Sequence, residues 1–280
     1  MILVTGCNGQ LGSELRLVLA EGEAMFVDRA NCDITNMEQL EKIIVDNNIL
    51  SILNCAAYTA VDLAETEIEK AFLVNELGAF NLATIAKKHS LTLVHISTDY
   101  VFDGIACTPR HEDHPVNPSS VYGKSKLAGE QKILDIKPNG IIIRTSWVYS
   151  NFGKNFVKTI LKAGSEREFL KVVYDQIGSP TNACDLAKLI VSLLPKLQNE
   201  TCEVYHFSNE GAISWYDFAQ AICEMQKLAC KVFPIESDEY VTPAARPNYS
   251  VLSKNKLKQK FGVEIPYWRE SLKNYLRNIN

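Results

Sequence analysis

The first half of this chain alternates short apolar runs with longer amphipathic ones. The runs expected to form strands span residues 2–5, 24–27, 51–55, 91–96 and 140–145. The segments expected to form helices span 11–19, 37–46, 68–89 and about 120–134, the second capped by Asp33 or Thr35 and the last by Ser119 or Ser120. Apolar strands alternating with helices form a parallel sheet that is covered on both faces. We therefore expect a doubly wound α/β (Rossmann) sheet with a crevice at the carboxyl ends of its strands.

A turn with three regularly spaced glycines follows the first strand. Gly6, Gly9 and Gly12 have the spacing Gly-x-x-Gly-x-x-Gly and lead directly into the first helix. Such glycines let the backbone approach a pyrophosphate, and the N–H groups of the helix then point at the phosphates. Three glycines alone also occur in ordinary turns, but the strand–turn–helix context predicts a dinucleotide site.

An acidic residue ends the second strand. Asp28 lies in the region where a carboxylate accepts hydrogen bonds from the adenosine ribose. A carboxylate there favours NAD because it repels a 2′-phosphate, whereas the neighbouring Arg29 could pair with that phosphate. A solvated Asp-Arg turn explains the two residues nearly as well. The sequence therefore leaves the choice between NADH and NADPH open.

Tyr122 and Lys126 are four residues apart and share one helix face. Lowering a tyrosine pKa from about 10 to about 7 requires roughly 4 kcal/mol of preference for the phenolate. An ammonium within about 4–6 Å can supply a large part of this preference. Lys126 is the natural candidate, and Lys124 faces another side. An exposed helix with an incidental tyrosine and lysine would be the simpler explanation if this pattern stood alone.

Hydroxyl groups end the fourth strand, at the sheet edge that also carries the glycine turn. A hydroxyl at Ser97 or Thr98 can hydrogen-bond a substrate carbonyl and polarise it. Spacing does not decide between the two, and a strand-end hydroxyl is also a common cap for the next loop. Together with Tyr122, Lys126 and the cofactor turn, the hydroxyl predicts hydride transfer to a carbonyl.

Composition excludes several other classes of function. The formal net charge is -4 over 280 residues and no basic run stands out, which argues against nucleic acid or an anionic membrane as the main partner. No apolar run is long enough to span a bilayer and no signal peptide is recognisable, so we expect a cytoplasmic protein.

The eight cysteines contain no Cys-x-x-Cys pair and are expected to be reduced thiols. The residues 111–114, His-Glu-Asp-His, could bind a metal but lie in a proline-flanked loop, so no metal site is expected.

The regular alternation ends near residue 150. Strand-like runs at 172–174 and 204–207 and helix-like runs at 183–194 and 215–225 follow, and prolines divide the tail. We expect residues 1–150 to form a dinucleotide-binding Rossmann domain. Residues 151–280 are expected to form mainly a smaller α/β substrate-binding lobe, with segments from about 170–200 returning to the first domain.

Motifs along the whole chain resemble a known family. The glycine turn, Thr98 and the pair Tyr122 and Lys126 resemble the extended short-chain dehydrogenase/reductase superfamily. The chain is similar, over nearly its whole length, to the dTDP-4-dehydrorhamnose reductases within it. The stretches that carry this closer likeness are residues 54–62, 97–104, 144–149, 175–181 and 245–250.

The resemblance implies NAD(P)H-dependent reduction of the 4-keto group of dTDP-4-dehydro-L-rhamnose, a nucleotide sugar. It implies that Tyr122 donates the proton, that Lys126 tunes it and binds the ribose, and that Thr98 contacts the carbonyl. Asp99 and Trp147 would contact the sugar, and Arg246 the diphosphate. The residues expected to line the cofactor, besides Tyr122 and Lys126, are Gly9, Gln10, Leu11, Asp28, Asp33, Ile34, Ala57, Tyr58, Thr59 and Ile96.

Three aspects of the resemblance leave questions open. Tyr58 departs from the family pattern, since His or another polar residue is expected there in relatives. Some relatives are thought to dimerise through a divalent ion such as Mg²⁺, but no ligand pattern here supports one, so a monomer or a homodimer is expected.

The same fold also occurs in a non-catalytic regulatory subunit and in other sugar-nucleotide enzymes. A 4,6-dehydratase is disfavoured because Tyr100, rather than a carboxylate, follows Asp99. A 4-epimerase is disfavoured by family likeness alone.

Overall fold

The computed structural model describes residues 1–197 and 200–279. Its strands are β1 Ile2–Thr5, β2 Ala24–Val27, β3 Ser51–Asn54, β4 Thr92–Thr98, β5 Asn139–Thr145, β6 Val148–Tyr149, β7 Phe169–Val173, β8 Ile177–Gly178, β9 Thr181–Asn182, β10 Glu203–His206, β11 Ile213–Ser214 and β12 Lys231–Ile235. Its α-helices are α1 Gln10–Val18, α2 Met37–Asp46, α3 Val61–Ala64, α4 Ile68–Phe72, α5 Gly78–Lys88, α6 Val121–Ile136, α7 Phe156–Glu166, α8 Ala183–Leu193, α9 Trp215–Met225, α10 Asn255–Phe261 and α11 Trp268–Arg277.

A six-stranded parallel sheet forms the centre of the protein, in the order β10-β5-β4-β3-β1-β2. Successive residues of a strand enter opposite apolar layers: Leu3 and Ile52 pack on one face, and Val4 and Leu53 on the other. Burial on both faces explains why these strands are continuously apolar. The strand order reverses between β1 and β3, which places a crevice beyond their carboxyl ends. The predicted doubly wound α/β fold is confirmed.

The later elements form a separate apolar cluster and also complete the central sheet. Helices α7, α9 and α11 pack with the parallel pair β7 and β12 around Phe218. By contrast, α8 packs on α1, and β10 extends the central sheet beside β5. Within the interval 170–200, α8 thus returns to the sheet, whereas β7 pairs with β12 and does not. The domain division at residue 150 itself stays a prediction.

Helix starts follow the capping residues closely. Ser120 accepts a hydrogen bond from the amide of Gly123 and begins α6, as predicted. The cap of α2 is instead Asn36, which accepts from the amide of Gln39, so the prediction of Asp33 or Thr35 was wrong. Asp33 instead accepts hydrogen bonds from the amide and the hydroxyl of Thr35.

The predicted long helix over 68–89 contains a π-helical turn at Leu73–Leu77, between α4 and α5. Asn75 in this turn accepts from the amide of Tyr58 at 2.8 Å and donates to the Ser125 hydroxyl at 2.9 Å. Gly129 permits this approach, because a Cβ there would lie 2.1 Å from the Asn75 carbonyl oxygen. The π turn therefore ties the segment after β3 to the helix that carries Tyr122.

No α-helix within these described ranges is both long enough and apolar enough to cross a membrane.

Candidate active site

A cleft of about 810 Å³ opens at the carboxyl ends of the central strands. Most of the residues predicted from the sequence line it: Gly6, Gly9, Gln10, Leu11, Asp28, Asp33, Ile34, Ala57, Tyr58, Thr59, Ile96, Thr98, Asp99, Tyr122, Lys126 and Trp147. Gly12 and Arg246 lie outside the cleft surface that the described residues form. The structure thus brings the two halves of the predicted site, the glycine turn and the helix that carries Tyr122 and Lys126, into one cleft.

The glycine turn is packed tightly on one side and open on the other. Gly6 has φ +65°, and a Cβ there would lie 2.6 Å from the amide nitrogen of Ala56. A Cβ on Gly12 would lie 2.5 Å from the Gly6 carbonyl oxygen, so Gly12 acts behind the cleft by letting α1 pack closely on the turn that follows β1. Gly9 precedes α1 without a capping side chain, which leaves the first N–H groups of the helix free to bind phosphate. This turn fits the diphosphate of a dinucleotide.

At the other end of the cofactor region, Asp28 organises its own loop. Its carboxylate accepts hydrogen bonds from the amides of Ala30 and Asn31 and from the side chains of Asn8 and Asn31. The neighbouring Arg29 is largely exposed and pairs with Asp33 at 3.4 Å. An exposed pair of this kind is weak, so the guanidinium is available to a phosphate on the ribose.

Tyr122 is buried, with 9% of its surface exposed. Its ring packs edge-to-face against Tyr100, with 5.5 Å between the centroids. Burial raises the pKa of Tyr122 well above its usual range, and a hydrogen bond with Thr98 opposes that shift. The phenol is therefore protonated at neutral pH and can act as a proton donor.

Lys126 is also buried, and its ammonium donates to the main-chain carbonyl of Ile96 at 2.7 Å. Burial lowers the pKa of Lys126 to about 8, while the charge of Glu130 opposes the shift. Tuning of the phenol by the lysine stays a prediction.

The structure separates the two hydroxyls at the end of β4. Thr98 contacts Tyr122 and donates to Asp99 at 3.1 Å, whereas the buried Ser97 hydroxyl has no hydrogen-bond partner among residues 1–197 and 200–279. Burial raises the pKa of Asp99 to about 7, although hydrogen bonds from Ser250 and Thr98 favour its charged form. The geometry thus favours Thr98 as the hydroxyl that acts with Tyr122.

Trp147 stands in a left-handed backbone conformation, at φ +49°. Its ring stacks on Trp215 at 3.5 Å and 9° between the planes. Gly178 packs against the same ring, since a Cβ there would lie 2.5 Å from it. The sequence predicted a helix that begins at Trp215, and Ser214 and Asp217 form its capping box. It did not predict that the Trp215 side chain lines the cleft. It also missed Tyr100 and Lys154 as cleft residues.

Arg246 lies outside the cleft lining and is engaged with two neighbouring side chains. It pairs with Asp62 on α3 at 2.7 Å and donates to the Tyr100 hydroxyl at 3.2 Å. It therefore connects the C-terminal tail to the segment after β3. Its contact with a diphosphate stays a prediction.

Potential metal ligands are dispersed in the structure. Within the described ranges, no three His, Cys, Asp or Glu side chains come together in a way that could hold an ion. The eight cysteines are free thiols.

Comparisons with known proteins identify the family of this chain. All 280 residues match the family described as RmlD substrate binding domain. The dTDP-4-dehydrorhamnose reductase of Aggregatibacter actinomycetemcomitans is 41% identical, with 98% of this chain and 97% of that protein covered. A reductase of the same name from Clostridium acetobutylicum has a crystal structure with TM-score 0.94 and 40% identity, covering 99% of this chain and 98% of that one. The Bacillus anthracis reductase, in complex with NADP, has TM-score 0.94, 39% identity and the same coverage. The resemblance is confirmed, and the chain belongs to the RmlD substrate-binding domain family.

Proposed function

We propose that this protein is an NAD(P)H-dependent oxidoreductase that reduces the 4-keto group of dTDP-4-dehydro-L-rhamnose to give dTDP-L-rhamnose. The observation that carries the proposal is the contact between Thr98 and the buried Tyr122, next to Lys126, in the cleft that also holds the glycine turn. The names of the similar reductases support the substrate, and the NADP complex of the Bacillus anthracis enzyme supports the cofactor.

In this mechanism the cofactor, when bound, supplies a hydride to the carbonyl carbon C4. The amides at Gln10 and Leu11 would hold its diphosphate, and Lys126 its nicotinamide ribose. Thr98 donates a hydrogen bond to the carbonyl oxygen and orients it, and Tyr122 gives that oxygen a proton. Asp99 and Trp147 position the sugar.

The pKa values in the cleft suit this direction of reaction. A tyrosine whose pKa is raised by burial holds its proton until the alkoxide, a far stronger base, forms beside it. The phenolate left behind is costly in a buried site, and the ammonium of Lys126 is the cation that can stabilise it. A cation that stabilises the phenolate also lowers the pKa of the phenol, so this is the tuning role predicted for Lys126.

Three further assignments go with this proposal. Residues 1–150 act as the dinucleotide-binding domain, and residues 151–280 mainly as the substrate-binding lobe. The protein works in the cytoplasm, as a monomer or a homodimer. Its partner is the nucleotide sugar rather than a nucleic acid or a membrane.

The test is oxidation of NADPH and of NADH by the purified protein in the presence of dTDP-4-dehydrorhamnose, with the product identified by NMR. Tyr122→Phe should lower turnover by at least about a hundredfold and leave the cofactor Kd unchanged. Tyr149→Phe is the control, because the buried Tyr149 hydroxyl has no partner in the described chain. Cofactor binding without any turnover would favour a non-catalytic subunit.

A further inference from the structure

Four cationic side chains line the cleft. Three of them have a partner within the chain: Arg29 forms a weak, exposed pair with Asp33, Lys70 pairs with Glu67, and Lys126 donates to the Ile96 carbonyl. The fourth, Lys154, is exposed and makes no hydrogen bond or ion pair with the part of the chain that the structure describes. A cation that lines a ligand cleft without an internal partner is available to an anionic ligand.

The backbone around Lys154 is held in place although its side chain is free. The Lys158 ammonium donates to the carbonyls of Asn151 and Gly153, at 2.5 and 3.3 Å. Asn155 donates to the side chain of Gln10 at 3.1 Å. A Cβ on Gly153 would lie 3.3 Å from the Gln10 side chain. The loop therefore rests on the first residue of α1, where the helix presents its free N–H groups.

A cation would strengthen diphosphate binding in this cleft beyond what the glycine turn supplies. Backbone N–H groups offer hydrogen bonds but no full charge. Arg246 is paired with Asp62 and lies outside the cleft surface. Asp28, Asp33 and Asp99 contribute carboxylates to the cleft lining, and these make an unneutralised diphosphate less favourable.

We propose that Lys154 binds a diphosphate group in this cleft, as a ligand-binding residue contributed by the loop between β6 and α7. This inference rests on the proposed function, which brings two diphosphates to the cleft, one in the dinucleotide and one in the nucleotide sugar. The contacts of Gly153 and Asn155 with Gln10 place this loop near the first diphosphate, and the second diphosphate has the same chemistry.

The test compares Lys154→Gln with Lys154→Arg and with Lys162→Gln, which removes the same charge from an exposed position on α7. Calorimetry without substrate gives the Kd of NADPH and, separately, of dTDP. Lys154→Gln should weaken one of the two by about fivefold to tenfold at low salt, and less at high salt. Lys154→Arg should keep both values within about twofold, as should the Lys162 variant.

Each outcome decides the point. A weaker NADPH Kd assigns the lysine to the cofactor, and a weaker dTDP Kd assigns it to the nucleotide sugar. If neither Kd changes in Lys154→Gln, the proposal is wrong. The Kd values of NADPH and of dTDP are measured directly by binding. They therefore test the role of Lys154 even if the protein does not turn over dTDP-4-dehydrorhamnose and the proposed function is wrong.

Discussion

The ammonium of Lys126 donates a hydrogen bond to the carbonyl of Ile96, 2.7 Å away, and so connects α6 with the end of β4. The lysine is 2% exposed, and its burial is the main reason that its pKa falls to about 8. A buried ammonium is costly even with one carbonyl and the charge of Glu130 to stabilise it. The cation that the proposed chemistry needs is therefore kept at the expense of stability.

Replacing Lys126 by Met should remove a pH dependence of folding. Below pH 8 Lys126 is protonated in both the folded and the unfolded chain, and the folded protein bears the full free-energy cost of the buried ammonium. Between pH 8 and the ordinary pKa of 10.5 only the unfolded chain binds it, so the wild-type free energy of unfolding rises with pH in this window. The rise should total about 3 kcal/mol at most. Urea unfolding of both proteins across this window measures it, and parallel curves would contradict the assignment.

Asp99→Asn should stabilise the protein at high pH. Burial raises the folded-state pKa to about 7 from an ordinary value of 3.8, so between these values the folded chain binds a proton that the unfolded chain does not. Wild-type stability therefore falls as pH rises through that window, by at most about 4 kcal/mol. The Asn side chain is neutral at every pH. The free energy of unfolding of this variant should therefore equal that of wild type near the lower end of the window and exceed it above pH 7. Thermal unfolding across the window measures this. Equal stability at the high end would contradict it.

Features that depend on neighbours in the chain could be read from the sequence, and features that depend on distant contacts could not. The glycine turn and the Ser120 cap are local, so their roles followed from spacing. The stacking of Trp147 on Trp215 joins segments far apart in the chain, and no local sequence pattern in either segment predicts the contact. The same holds for Arg246, whose partner Asp62 lies 184 residues away. A charged side chain in a loop can be predicted to bind something, but its partner is set by packing.

Arg29→Ser should weaken NADPH binding and leave NADH binding unchanged. Asp28 is occupied by its own loop, and the pair between Arg29 and Asp33 is exposed, so the guanidinium can turn to a 2′-phosphate at little cost. Loss of such a contact should raise the NADPH Kd by about tenfold. Arg167→Ser is the matched control, since it removes an exposed arginine at the end of α7. Equal changes in the two cofactor affinities would show that Arg29 does not read the phosphate.

Trp215→Leu should weaken sugar binding through its effect on Trp147. A bulky residue at φ +49° is strained by about 1–3 kcal/mol, and a stacked aromatic pair contributes about 0.5–1.5 kcal/mol beyond its buried area. Without the stack, we expect the Trp147 ring to move, since Trp215 covers one of its faces. The KM for the nucleotide sugar should then rise by about tenfold while the NADPH Kd stays unchanged. Trp215→Phe, which keeps an aromatic face, should recover most of the affinity. Circular dichroism of the stacked indoles reports the loss of the pair independently of turnover. An unchanged KM in the leucine variant, with the dichroism signal gone, would show that the stack does not position Trp147 for the sugar.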